Sequence, residues 1–162
     1  MKKKIIWLIL LILWIGFIFF NSLQPANKSS EASGIFVTIA FKIFSMVNFN
    51  INISLLATLI RKGAHFFEYF LLFIFSYNFL KYFNIFENTK KLYKNVSIYT
   101  YLFSLLLCLL VACFDETIQL FIEGRHGSIF DVLLDFSGSL SSLILIILIN
   151  LKKIKSHLNN FS

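Results

Sequence analysis

Apolar residues in this chain come in long unbroken runs rather than in alternation, and short polar clusters separate the runs. The first run covers residues 5–20 and follows Lys2, Lys3 and Lys4. A helix needs about 20 apolar residues to cross a bilayer. The run reaches that length when residues 21–23 extend it, so the first predicted span is 5–23. A signal peptide has a shorter apolar core, about 7–15 residues, and an A-x-A-like exit. The following segment, NSLQPANKSSEASG, offers no such site, so the run reads as a retained span. Gln24-Pro25 ends it, because proline disfavours helix in the residue before it.

Residues 27–34 read as a small-polar loop. Residues 35–47 are apolar apart from Thr38, Lys42 and Ser45, which fall at i, i+4 and i+7. That spacing puts a thin polar stripe on one face, as in a helix lying in the interface or packed on a bundle. Residues 48–52 break the pattern, and Ser54 is a candidate cap for a helix over 55–80. The membrane part of that helix, 64–80, is roughly 25 Å long. A basic loop, 81–94, leads to a third span at 96–114. Residues 115–128 connect it to a fourth span at 129–151, with Gly124 and Gly127 as turn formers. The fold class is therefore all-α: a polytopic membrane protein whose four transmembrane helices form a bundle, with an extra helix between spans one and two. No repeat divides the chain, and residues 1–162 read as a single domain.

Composition sharpens the class. The chain is 58% hydrophobic and 14% charged, against about 45–50% and 25% in soluble domains. A membrane barrel is excluded because its strands alternate. Cys108 and Cys113 lie in one apolar run. They are read as small buried apolar residues, with no disulfide or metal implied. The net charge of +7 invites a nucleic-acid reading, but the basic residues cluster at the ends of apolar runs. Ten of the fifteen fall before span one, in 81–94 or after span four. By the positive-inside rule both termini and that loop are cytoplasmic. Seven of the eight acids fall on the other side, and only Glu87 is inside. The expected partner is the lipid bilayer, not nucleic acid.

The stretch 115–135, DETIQLFIEGRHGSIFDVLLD, concentrates the ionisable residues at the edges of apolar runs. Such residues persist mainly where they pair, line a cavity or do chemistry. Three constellations stand out. Arg61, His65 and Glu68 are spaced i, i+4, i+7 on one helix face. A histidine beside a carboxylate suits general acid/base work, and the same trio equally suits a network that locks helices together. Asp115 and Glu116 are adjacent, with Gln119 one turn on. Adjacent carboxylates repel unless a cation or proton is shared. Arg61, Lys62 or Arg125 can supply the cation. A divalent metal is the weaker reading, so no metal and no cofactor are expected. Asp131, Asp135, Gly138 and Ser142 recur at i, i+4, i+7 and i+11, which aims the acids inward and lets helices approach at small residues. Arg125 is suited to hold a phosphate or carboxylate with two parallel hydrogen bonds, or to pair with Asp131 across the loop. His126 and His157 receive no role.

Three segments together resemble the VanZ-like family of small bacterial membrane proteins: FFNSLQPANKSSEASG after span one, RKGAHFFEYFLL at the start of span two, and DETIQLFIEGRHGSIFDVLLDFSGS between spans three and four. They cover about a third of the chain, in the family's order. The resemblance implies a four-span protein of the bacterial cytoplasmic membrane and cell envelope. The family takes its name from a member associated with low-level resistance to the glycopeptide teicoplanin. Carried over by position, its characteristic polar residues are Arg61, Lys62, His65, Glu68, Tyr69, Asp115, Glu116, Gln119, Arg125, Asp131 and Asp135. Glu123-Gly124 stands where a Pro-Gly pair is common.

Two functions follow as expectations. In the first, an outward-facing polar pocket takes an anionic lipid or a lipid-linked cell-wall precursor. Arg61, Lys62, His65, Glu68, Gln119, Arg125, Asp131 and Asp135 are its binding candidates, and antibiotic resistance follows from altered surface chemistry. In the second, the chain is a membrane-embedded enzyme on a lipid phosphate or lipid-linked glycan. Its catalytic candidates are His65, Glu68, Asp115 and Glu116, with His65 as acid/base. A proton-coupled carrier is weaker, since short spans without an internal repeat suit that fold poorly.

Overall fold

A computed structural model describes residues 2–46, 51–83, 91–93 and 96–159. Five α-helices dominate the described residues: α1 (Lys2–Ser22), α2 (Ala26–Met46), α3 (Ile53–Phe83), α4 (Ile98–Gln119) and α5 (Ile129–Asn159). A short antiparallel pair, β1 (Lys91–Tyr93) and β2 (Val96–Ser97), precedes α4. Among the described residues three helices are long and apolar enough to cross a membrane, over Lys2–Ser22, Ile98–Gln119 and Ile129–Lys152. These match the first, third and fourth expected spans. α3 contains the expected second span, but Arg61, Lys62, His65, Glu68 and Asn78 dilute its apolar character.

Element boundaries differ from the sequence reading in four places. Residues 27–34 are helical, not a loop. Proline is tolerated ahead of a first turn because its missing N–H needs no partner there, and the Pro25 carbonyl accepts the Ser29 N–H at 3.1 Å. Only Leu23, Gln24 and Pro25 separate α1 from α2. α3 begins before Ser54, and Asn52 is the cap: its Oδ1 accepts the Ser54 N–H at 2.9 Å. α4 starts after Ser97, whose hydroxyl accepts the Tyr99 N–H at 3.2 Å, and it continues through Asp115, Glu116 and Gln119. Those three residues are therefore placed by a rigid helix, not by a connecting segment. α5 carries on past residue 151 to Asn159. The break at 48–52 and the basic loop at 81–94 fall partly outside the described residues.

α3 is the centre of the bundle and packs on all four other helices, most extensively on α5. Tyr69, Leu72, Phe73 and Tyr77 of α3 are buried with Leu11 and Ile18 of α1 and Tyr101, Cys108, Val111 and Ala112 of α4. The extra helix α2 packs on α3, with Val37 buried and Ile35, Phe36, Ile39 and Ile43 exposed. Cys108 is buried as expected, whereas Cys113 is exposed. Five residues of helix carry the second thiol onto another face of α4.

The distribution of polarity is inverted relative to a water-soluble bundle. The outer surface is apolar, for example at Ile12, Leu13, Phe103, Leu106, Leu133, Ile144 and Leu148. The interior holds Ser22, Ser76, Ser104, Ser139 and Ser142, together with Asp115 and Asp135. Hydrocarbon solvates the first set, and small polar residues let helices come close. At the tightest crossing, a Cβ on Gly138 of α5 would overlap the Phe66 carbonyl oxygen of α3. One residue on, the Ser139 hydroxyl donates to the Tyr69 carbonyl at 3.2 Å. This α3–α5 contact sets the positions of the residues below.

Candidate functional site

Four helices and one loop bring polar residues to one end of the bundle. α1 ends there with Asn21 and Ser22, and α3 contributes Arg61, Lys62, His65 and Glu68. α4 ends there with Asp115, Glu116 and Gln119, and α5 begins there with Asp131 and Asp135. The loop between α4 and α5 supplies Arg125. It reverses at Gly124, whose φ of 72° lies in the left-handed region that favours glycine. A Cβ on Gly127 would overlap the Glu116 carbonyl oxygen, so the loop lies directly on the end of α4.

Each predicted residue finds a definite place. Glu116 clamps the loop: Oε2 accepts the Ser128 N–H at 2.9 Å and Oε1 accepts from Gln119 Nε2 at 3.1 Å. Gln119 also donates to Asp115 Oδ2 at 3.2 Å and approaches the Ser22 hydroxyl at 3.5 Å. Lys62 forms an ion pair with Asp131, so the Arg125–Asp131 staple weighed from the sequence is not formed. Arg125 instead donates from Nη2 to the Asn21 carbonyl at 3.0 Å. Burial and the nearby Arg61 lower the Arg125 pKa, against the pull of Asp115, Glu116 and Glu68. A guanidinium stays charged regardless, so this cation sits among acids without a direct ion pair among the described residues.

Glu68 accepts from Asn21 Nδ2 at 2.8 Å through Oε1, and its Oε2 lies 3.6 Å from His65 Nδ1. The Glu68 carbonyl accepts the Trp14 indole N–H at 2.9 Å. Asp115 is 0% exposed and Asp135 is 1% exposed. Asp115 Oδ1, both Asp135 carboxylate oxygens, His65 Nδ1 and the Tyr69 hydroxyl are buried without a hydrogen-bond partner. One ring nitrogen of His65 and one oxygen each of Asp115 and Asp135 all lie within 4.8 Å of one another.

Among the described residues, two adjoining cavities lie at this end. The first is polar, about 160 Å³, and lined by Arg61, Lys62, His65, Glu116, Gln119, Gly124, Arg125, His126, Asp131, Leu134 and Asp135. The second is largely apolar, about 510 Å³, and lies between α1, α2 and α3, with Phe17, Phe20, Phe36, Ile60 and Ala64 in its walls. Arg61, His65 and Arg125 line both.

The sequence model of the VanZ/LLP1 family matches residues 7–150, which takes in every helix that builds this end of the bundle. The chain belongs to the VanZ/LLP1 family. No curated protein and no solved structure matches it. In this VanZ-family membrane protein the polar residues singled out from the sequence gather at one end of the bundle. Sequence reasoning missed three contributors: Asn21, Ser22 and Trp14. Asn21 and Ser22 stand inside the quoted segment FFNSLQPANKSSEASG. An asparagine-serine pair ending an apolar run was the available signal.

Proposed function

We propose that this VanZ-family membrane protein binds an anionic, lipid-linked or cell-wall-related ligand, with the anion in the polar cavity and the hydrocarbon in the apolar one. The supporting observation is the seam between the cavities, where Arg61, His65 and Arg125 line both. An amphipathic anion needs that juxtaposition. The apolar cavity, at about 510 Å³, falls within the usual range for ligand pockets, about 300–1,000 Å³. Arg125 offers a planar donor fork that no carboxylate among the described residues occupies, and such forks recognise phosphate. The charge pattern along the chain supports a multi-pass topology in the bacterial cytoplasmic membrane, with both termini cytoplasmic and the cavities facing out. α3 then serves as the second of four spans, with its polar face satisfied inside the bundle. A contribution to teicoplanin resistance follows from sequestering or altering envelope lipids.

Native mass spectrometry of the protein in detergent tests this, with a polyprenyl phosphate, the matching neutral polyprenol and a zwitterionic phospholipid as probes. The phosphate should bind at least tenfold better than the alcohol. Arg125→Lys keeps the charge but not the fork, and should remove most of that preference while the protein stays folded. Equal binding of phosphate and alcohol contradicts the reading.

A second reading has one contact in its favour. The His65 ring lies 3.6 Å from Glu68, an arrangement in which a carboxylate orients a base. On this reading the protein is an enzyme on a lipid phosphate or lipid-linked glycan. Turnover of a lipid phosphate by the wild type that is lost in His65→Gln supports the enzyme, and a wild type that binds the phosphate without turning it over contradicts it.

A further inference from the structure

We infer that His65, Asp115 and Asp135 form a binding site for one divalent cation of the zinc, manganese or iron(II) class, at the floor of the polar cavity. The three side chains come from three different helices, α3, α4 and α5, and offer donor atoms within 4.8 Å of one another. Both carboxylates are wholly buried; Gln119 and Ser22 serve Asp115 and the Glu68 carboxylate lies 3.6 Å from His65 Nδ1, yet both oxygens of Asp135 meet no donor. Lys62 pairs with Asp131 and one Arg125 nitrogen donates to the Asn21 carbonyl, and no Lys or Arg among the described residues forms an ion pair with Asp115 or Asp135. Buried carboxylates without partners are costly, and a cation, a proton or trapped water must satisfy them. A proton shared by the two acids would still leave one Asp135 oxygen unserved. A metal ion uses all three residues at once.

The donor set selects the ion. One imidazole and two carboxylates suit zinc, iron(II) or manganese, whereas calcium asks for six to eight oxygens. Ligand bonds of about 2.1 Å in a tetrahedral site bring donors to about 3.4 Å of one another. Side-chain rotation can supply the closure from 4.8 Å. Three protein ligands leave one coordination position, as in zinc sites that act on substrate. His65 and Asp135 line the polar cavity, so that position faces it. This departs from the sequence-based expectation of no metal. It also stands apart from the anion reading, because the metal alone is the probe.

The test uses full-length protein in detergent, free of any histidine tag and of added lipid. Metal content is measured as purified by inductively coupled plasma mass spectrometry. After chelation, Zn²⁺ and Mn²⁺ are titrated by calorimetry and by thermal melting. The expected result is one ion per chain for at least one metal, with a raised melting temperature. Asp135→Asn and His65→Gln should each weaken binding at least tenfold. Should a variant fail to fold, the wild-type stoichiometry and thermal shift decide the question. A wild-type protein that holds no metal and gains no stability from Zn²⁺, Mn²⁺ or Fe²⁺ overturns the inference in favour of a shared proton or water. Binding that persists unchanged in Asp135→Asn overturns it as well.

Discussion

Gly138→Ala is the sharpest perturbation of the frame that carries the site. The new Cβ would overlap the Phe66 carbonyl oxygen and lie 3.0 Å from its carbonyl carbon and 3.3 Å from its Cα. All three are backbone atoms of α3, so no side chain can swing aside. Restoring ordinary contact requires α3 and α5 to part by about 1 Å, an overpacking that costs about 1–3 kcal/mol. Helix propensity works the other way, since alanine is favoured over glycine by about 1 kcal/mol in a helix interior. The net expectation is a loss of about 1–2 kcal/mol. The displacement also reaches the site, because His65 precedes Phe66 and Asp135 lies one turn before Gly138. Gly63→Ala, in the same helix as Phe66, is the control: a Cβ there meets nothing within 4 Å, so only the propensity gain of up to about 1 kcal/mol remains. Unfolding in mixed micelles, followed by the fluorescence of Trp7 and Trp14, gives both free energies. Opposite signs are predicted. A Gly138→Ala protein as stable as wild type, or a Gly63→Ala protein equally damaged, refutes the packing argument.

Two further outcomes follow. Asn21→Ala removes the 2.8 Å hydrogen bond to Glu68 Oε1 and should cost about 1 kcal/mol. In a Glu68→Ala background the same change should cost little, and a cycle with no coupling between the two would show that the contact is energetically idle. The charge pattern predicts that, in a Cys108→Ser, Cys113→Ser background, Ser128→Cys is labelled by an impermeant thiol reagent on intact cells and Lys91→Cys is not. The reverse pattern would invert the proposed orientation.

The periodicity of the sequence located the helices because lipid-facing and buried apolar positions both register as hydrophobic runs, whatever their tertiary partners. It misjudged residues 27–34, where serine, lysine and glutamate satisfy a helix as readily as a loop once Pro25 has started it. Asp115 and Glu116 were recognisable as costly residues but not as helical ones, because polarity at the end of a run resembles a loop. The face shared by Asp135, Gly138 and Ser142 was legible from spacing alone. Partner choice was not. Lys62 rather than Arg125 takes Asp131, and Arg125 turns to a backbone carbonyl of α1. Those choices depend on how the α4–α5 loop folds back over Glu116, and spacing carries no record of that. The convergence of His65 with Asp115 and Asp135 needed three helices to be docked before it became visible.

On the proposed function, an anionic headgroup and its hydrocarbon occupy the two adjoining cavities together. The most direct measurement is a cryo-electron microscopy structure of the protein in nanodiscs containing a polyprenyl phosphate. Phosphate density is expected within hydrogen-bond distance of the Arg125 guanidinium, and chain density along Phe17, Phe20 and Phe36. Phosphate density only at the opposite end of the bundle, near Lys81 and Lys152, with both cavities free of lipid, would contradict it.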